Sequence, residues 1–278
     1  EKIQYMNSMK VGRFLSLPVL GVLSVMLFLY YTTIFIFLDD WVGFRTSPGT
    51  LNSFFFTLFA SLALFSFSIC VLTDPGHVPP SFYPDVESTN SKDNAEQKKC
   101  DKCFGYKPPR THHCRVCRKC VLKMDHHCLW INNCVGYWNY KAFFDFLVYA
   151  TIASVHSTVL FISCVLEKEW GYIKESSLKL FYVMYGTMVV GLTLTLLSLT
   201  GWHIYLILHN MTTIEYYEGN RAKWLAAKSG QSYRHPYNNG AYKNITLVLG
   251  PTMLKWLCPT AVSHLKDGVS FPTIRDNS

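Results

Sequence analysis

Four long apolar runs decide what this chain can fold into. Residues 14–38, 51–73, 142–166 and 180–208 each exceed the roughly 18 to 20 apolar residues that cross a bilayer. Apart from Asp145 near the start of the third run, no acidic residue, Lys or Arg interrupts them. In lipid a backbone must satisfy its own N–H and C=O groups, so runs of this kind predict helices. The first is longer than the apolar core of a signal peptide and lacks a small-residue cleavage site, so it reads as a retained span, with Pro18 tolerated in its first turns.

Orientation follows from the basic residues. The two short connections, 39–50 and 167–179, hold only Arg45, Lys168, Lys174 and Lys179 of the 26 Lys and Arg residues. The rest lie on the opposite side, which predicts cytoplasmic placement for the N-terminal segment 1–13, the middle loop 74–140 and the tail 209–278. The net charge of +8 then reads as topology and attraction to lipid headgroups, and no nucleic-acid partner is expected. Seven of the ten cysteines fall between Cys100 and Cys134. In a reducing compartment that density argues for metal or chemistry rather than disulfides.

After the second run, "TDPGHVPPSFYPD" is turn-rich and "VESTNSKDNAEQKK" reads as a flexible linker. In the tail, the segments around Trp224 and around Leu254 to Trp256 set apolar residues among Lys and Arg, which suits either short interfacial helices or a partly buried globular tail. No internal repeat of useful period is visible.

The cysteine-rich segment 100–134 cannot bury a core of its own, so metal must hold it. Cys100-x2-Cys103 and Cys114-x2-Cys117-x2-Cys120 have the gaps that let two sulfurs of a tight turn reach one tetrahedral ion, and thiolates mixed with imidazoles favour zinc. Counting His112, His113, His126 and His127, eleven candidate ligands are present, and two zinc ions take eight. The surplus is either a nucleophile with its base, or bystanders beside a site with fewer protein ligands. If "DHHC" at 125–128 is extended, His126 and Cys128 share one face and Asp125 and His127 the other. His126 is then placed to deprotonate Cys128, and Asp125 is the nearest carboxylate to fix its tautomer.

These residues, in this order, closely resemble the DHHC-type protein S-acyltransferases, or palmitoyltransferases. The resemblance takes in the Cys and His series, "DHHC", "NNCVG", "DPG" at Asp74, Pro75 and Gly76, "TTIE" at Thr212, Thr213 and Glu215, and N-x-G-x-x-x-N at Asn238, Gly240 and Asn244. It implies an all-α polytopic membrane protein with four transmembrane helices and a small cytoplasmic two-zinc domain of short hairpins between the second and third. It implies two interleaved zinc sites, Cys100, Cys103, His113 and Cys120 on one ion, Cys114, Cys117, His127 and Cys134 on the other. It also implies Cys128 as nucleophile, His126 as base and Asp125 as its orienting carboxylate. The expected reaction passes a long-chain acyl group from acyl-CoA, palmitoyl-CoA in the type case, through an acyl-Cys128 thioester to cysteines of membrane-associated proteins. Lys107, Arg110 and His112 are candidates for the CoA phosphates, and Trp130, Phe143, Phe146, Tyr149 and Ala153 for the acyl chain. "DPG", "TTIE" and the tail motif read as supports, with Thr213 a hydrogen-bond partner for the catalytic segment. The chain departs from many members in having Leu129, not proline, after "DHHC". An endomembrane or plasma-membrane location is expected. The competing reading is a membrane-anchored zinc module that only binds partners; it has no use for a surplus Cys128.

Overall fold

The computed structural model describes residues 12–84, 99–167 and 176–274. Most of the N-terminal segment and, apart from Lys99, the polar stretch read as a linker lie outside them. Four helices are long and apolar enough to cross a membrane: α1 Leu17–Trp41, α2 Ser47–Leu72, α3 Tyr140–Glu167 and α4 Ser176–Leu208. The shortest has 25 residues, about 38 Å at 1.5 Å per residue, against a hydrocarbon core of about 30 Å. The chain is a multi-pass membrane protein, mostly helical as expected. Within α1 the hydrogen bonding widens to a π-helical stretch over Thr32–Leu38.

Two compact units divide these elements. The helical unit comprises Leu17–Ser68 and Phe144–His203. Lipid gives helices no hydrophobic reason to associate, so hydroxyl bonds and close packing must hold them. Thr33 Oγ1 bonds Ser157 Oγ at 2.7 Å and Tyr185 Oη at 3.0 Å. Ser154 and Thr158 both meet Thr193, and Thr151 meets Thr200. Phe37, Phe161, Tyr182 and Tyr185 form an aromatic cluster, with Phe161 resting where a side chain on Gly186 would have to go. Many large apolar side chains point outward, Leu27 at 69% and Leu194 at 60% exposure. On a soluble protein that would be an aggregation hazard; on a span it is the lipid-facing surface.

Among the described residues, the second unit comprises 12–16, 69–84, 99–143 and 204–274. It contains two antiparallel hairpins. β1 (His112–Cys114) pairs with β2 (Lys119–Val121), putting His113 opposite Cys120; β3 (His126–Cys128) pairs with β4 (Asn133–Val135), putting His127 opposite Cys134. The hairpins are copies of one unit displaced by 14 residues, since Cys100, Cys103, His113 and Cys120 map onto Cys114, Cys117, His127 and Cys134. The sequence therefore does hold an internal repeat. Besides the ligands, His112 and His126, Cys114 and Cys128, and Val121 and Val135 correspond, but the remaining residues between them differ.

Neighbouring motifs seat the hairpins. Asp74 accepts from Gly76 N–H at 2.9 Å and from Lys119 Nζ at 2.8 Å. Gly76 adopts φ +112°, and any Cβ there would lie 3.0 Å from Trp138 and 3.3 Å from Leu122. Helix α2 ends with unpaired carbonyls, as every helix does. The Asn133 amide donates to two of them, Cys70 O at 3.1 Å and Thr73 O at 2.9 Å, tying the second hairpin to the end of a span. Two further helices follow α4: α5 Thr213–Lys228 and α6 Ala241–Leu249. Asn244, fully buried, donates to Leu208 O at the end of α4 and to Asn238 Oδ1. Lys141 is 2% exposed and donates to three tail carbonyls, Leu249, Lys255 and Ala261, at 2.8 to 2.9 Å. Trp224 lies exposed on α5, and Leu254 is 95% exposed in a 3-10 turn over Met253–Lys255.

Candidate active site and metal centres

Each hairpin presents an imidazole Nδ1 and a thiol side by side, and a preceding Cys-x2-Cys turn closes the set. In the first, His113 Nδ1 lies 3.5 Å from Cys100 Sγ, 3.2 Å from Cys103 Sγ and 3.9 Å from Cys120 Sγ. In the second, His127 Nδ1 lies 3.6, 3.4 and 3.6 Å from Cys114, Cys117 and Cys134. Zinc–sulfur bonds of about 2.3 Å and zinc–nitrogen bonds of about 2.0–2.1 Å in a tetrahedron demand ligand separations of roughly 3.5 to 3.8 Å. Both sets, whose ligand atoms all lie within 4.8 Å of one another, meet that demand. These two Cys3His sites fit structural zinc.

Six of the seven cysteines between 100 and 134 belong to these sets; Cys128 does not. It closes β3 and is buried. Beside it His126 Nδ1 contacts Asp125 Oδ2 at 2.7 Å. Asp125 is fully buried and takes two more hydrogen bonds, from Thr213 N–H and Thr213 Oγ1, each 2.9 Å. Thr213 opens α5, so the carboxylate sits where a helix N-terminus stabilises an anion. Burial works against charging the His126 ring. Its hydrogen bonds to Asp125 and Cys128 prevail and raise its pKa to about 9. The ring of Phe143 stands edge-on to it at 5.3 Å between centroids. Leu129 and Trp130 are exposed in the turn after Cys128, which Asn132 N–H closes onto Leu129 O at 3.0 Å.

The "TTIE" motif folds as a capping box: Thr212 accepts from Glu215 N–H, and Glu215 accepts from Thr212 N–H. This arrangement satisfies otherwise orphaned helix donors. Glu215 reaches further. Its two oxygens take Arg110 Nε at 2.6 Å and Nη2 at 2.7 Å, and the guanidinium holds the buried Glu215 carboxyl below the ordinary carboxylate range despite desolvation. Arg110 also donates to Asn210 Oδ1 and Asn210 O, and the rings of Tyr237 and Phe271 lie over it at 4.3 and 5.0 Å. Arg110, expected on a CoA phosphate, has a side chain 1% exposed and makes four hydrogen bonds within the protein. "KPPRTHH" looks like an open basic loop because Glu215 is 105 residues away. Replacing Arg110 with alanine strands a buried carboxylate, which costs about 3 to 5 kcal/mol. A fall in the thermal midpoint of the purified protein is expected, with little rescue by lysine, which lacks the planar fork; an unchanged midpoint would refute the clamp.

The other expected residues separate. Lys107 and His112 are half-buried, with His112 opposite Val121 in the first hairpin. Phe146, Tyr149 and Ala153 belong to the helical unit, where Phe146 packs on Phe67, Tyr149 on Phe59, and Ala153 against Ile34, Leu38, Phe56 and Leu160. Asn133 and Lys141 went unassigned in the sequence. The only signals were an amide inside "NNCVG" and a lysine at the mouth of an apolar run.

A tandem pair of Cys3His centres stands beside an Asp–His–Cys series on a four-span chain, the groups that membrane-bound acyl transfer to cysteine would need. The DHHC palmitoyltransferase family model matches residues 93–220. Probable protein S-acyltransferase 15 of Arabidopsis thaliana is 60% identical over 252 residues, 90% of this chain and 99% of that protein. Probable protein S-acyltransferase 16 of the same plant is 49% identical over 274 residues, 94% of each chain. Palmitoyltransferase ZDHHC15 of Rattus norvegicus is 37% identical over 180 residues, 64% of this chain and 51% of that one. The chain belongs to the DHHC palmitoyltransferase family and is a protein S-acyltransferase.

Proposed function

We propose that Cys128 carries the acyl group between palmitoyl-CoA and the cysteine of a membrane-associated protein. The observation that carries this reading is the placement of Cys128 outside both Cys3His sets and in hydrogen-bond contact with an imidazole that Asp125 orients. His126 takes the Cys128 proton, and the thiolate attacks the thioester carbonyl. The carbon–sulfur bond to CoA breaks, and the departing CoA thiolate takes the proton from His126. In the second half the acceptor cysteine gives its proton to His126 and attacks acyl-Cys128, and Cys128 leaves as a thiolate that recovers the proton. Asp125, held by Thr213, keeps the His126 ring in one tautomer and stabilises it when charged. Cys100, Cys103, His113 and Cys120, and Cys114, Cys117, His127 and Cys134, would each hold one zinc ion, which would fix the hairpins as a four-ligand structural site does.

The distribution of basic residues supports cytoplasmic placement of both termini and of the segment carrying Cys128. Lys107 and His112 are proposed to meet the CoA phosphates, and Trp130 and Phe143, beside Cys128 and His126, the first carbons of the acyl chain. Further along α3, Phe146, Tyr149 and Ala153 are proposed to set its length. Ala153→Tyr should then shift preference towards shorter acyl-CoA in a chain-length competition, and an unchanged profile would remove Ala153 from that role.

Incubating the purified protein with labelled palmitoyl-CoA tests the reading. Label should appear on the protein, be released by hydroxylamine and map to Cys128. His126→Ala should slow this labelling by about 10²- to 10⁴-fold with both zinc ions retained, the usual worth of a general base. Labelling at the normal rate would remove His126 as base.

A further inference from the structure

Six non-glycine residues among those described hold a positive φ: Phe104, Arg110, Arg118, Lys123, Asn132 and Asn210. An L side chain is strained in that region, least so for asparagine. Phe104, Arg118 and Asn132 recur at 14-residue intervals, in corresponding turns of the repeated unit. The other three meet at one side chain. Asn210 lies buried in the turn between α4 and α5, and its Oδ1 accepts from Arg110 Nη1 at 3.2 Å and from Lys123 Nζ at 3.3 Å. Its amide nitrogen donates to Tyr237 O at 2.9 Å. Strained backbone of this kind persists only where its surroundings enforce it, and it gathers at functional sites.

Both cations border the segment that carries Asp125. Lys123 precedes it in the chain, and the Arg110 carbonyl accepts from Met124 N–H at 3.2 Å. On the other side, Asn210 shortly precedes Thr213, whose N–H and hydroxyl hold the Asp125 carboxylate. Three ties therefore join the start of α5 to the hairpin segment: Thr213 on Asp125, Glu215 on Arg110, and Asn210 on Arg110 and Lys123 together. Only the last reaches the residues on both sides of the entry to β3, so it fixes how far that strand slides past Thr213. The direction of the Asp125 carboxylate, and of the His126 ring 2.7 Å from it, follows from that register. The Asn210 carbonyl also takes Arg110 Nη2 at 2.8 Å, a bond any residue could supply; the side-chain oxygen is what asparagine adds.

We infer that Asn210 is a positioning residue for acyl transfer: its side-chain oxygen, shared between Arg110 and Lys123, sets Thr213 against Asp125 and so aims His126 at Cys128. The inference rests on the roles proposed above for Cys128, His126 and Asp125.

Single-turnover labelling of the full-length protein by palmitoyl-CoA gives the test, read as the rate at saturation and the concentration for half-saturation. Glycine accepts the φ of +45° at this position, so Asn210→Gly keeps the turn and the backbone carbonyl and removes only the amide. It should lower the saturated rate by about 10- to 100-fold, the cost of misplacing reacting groups, and leave half-saturation and two zinc ions per chain unchanged. Asn210→Asp keeps an oxygen for both cations but sets another against Tyr237 O. Its thermal midpoint should fall while its saturated rate returns to within about threefold of wild type; a role in stability alone would make the rates follow the midpoints. Lys123→Met removes one tie, leaves Oδ1 bonded to Arg110, and should slow labelling in the same sense; it replaces the glycine variant if that one loses zinc. Combined with Thr213→Val, either variant should slow labelling no further than the slower single change, because both act on Asp125. A normal saturated rate in the variant used, multiplied losses in the double variant, or an aspartate variant as slow as the glycine one would overturn the inference. Wild-type label that failed to map to Cys128 would instead sink the acyl-carrier reading, a result distinct from all of these.

Discussion

Cys128→Ala abolishes incorporation of labelled palmitate, by on the order of a thousandfold or more, while the purified variant keeps two zinc ions per chain and its thermal midpoint. Removing a covalent nucleophile has effects of that size or larger in other covalent enzymes. The zinc and stability halves of the expectation come from geometry. Cys128 belongs to neither ligand set, and replacing its thiol deletes one hydrogen bond to His126 without opening a metal site. Zinc by inductively coupled plasma spectrometry, measured beside hydroxylamine-sensitive label, checks both. Full labelling of the variant would remove Cys128 as the acyl carrier; loss of zinc would return it to the ligands.

The opposite pattern is expected for Cys117→Ala and His127→Ala. Each takes one of four ligands from the second centre, and structural zinc supplies roughly 10 to 16 kcal/mol of folding free energy in small domains. A segment whose hairpins have strands of three residues each, with a buried cluster of only Val121 and Met124 beside the ligands Cys114 and Cys134, has too small a core to replace it. These variants should lose zinc, yield poorly and open residues 99–143 to protease. They should also lose acylation, because β3 supplies both His127 to the metal and His126 to the chemistry. Zinc content and yield equal to those of Cys128→Ala would refute this division of roles.

What could be read in the sequence was whatever is encoded locally. Hydropathy runs specify spans residue by residue, and the Cys-x2-Cys gaps specify turns that hold metal, so the fold class and the chemistry of the centres were visible. The pairing of ligands was not, because eleven candidates fit two ions in many ways and the resemblance alone ordered them. Long-range polar contacts were least visible. The Arg110–Glu215 pair, the Asn133 cap on α2 and the Lys141 grip on three tail carbonyls join segments whose local sequence looks like an open basic loop, a motif spacer and a span border. Position along the chain says nothing of a partner a hundred residues off, and so the contact of Arg110 with Glu215, on the helix whose Thr213 bonds Asp125, is not legible there.

The 14-residue displacement of the hairpins bears on the origin of the reactive group. Cys114, which ends β1, is the first ligand of the next centre; Cys128, which ends β3, holds the same place, but no further Cys-x2-Cys turn starts there, and after β4 the chain enters α3. The array stops one unit short, which leaves the thiol in that place outside both ligand sets. A side chain in that position arrives already aimed by a rigid frame, and the frame loses nothing when the thiol is consumed. On the proposed assignment of Cys128, reactivity is an end effect of a counting rule, so lengthening the array by one more unit would be expected to turn that thiol into a ligand.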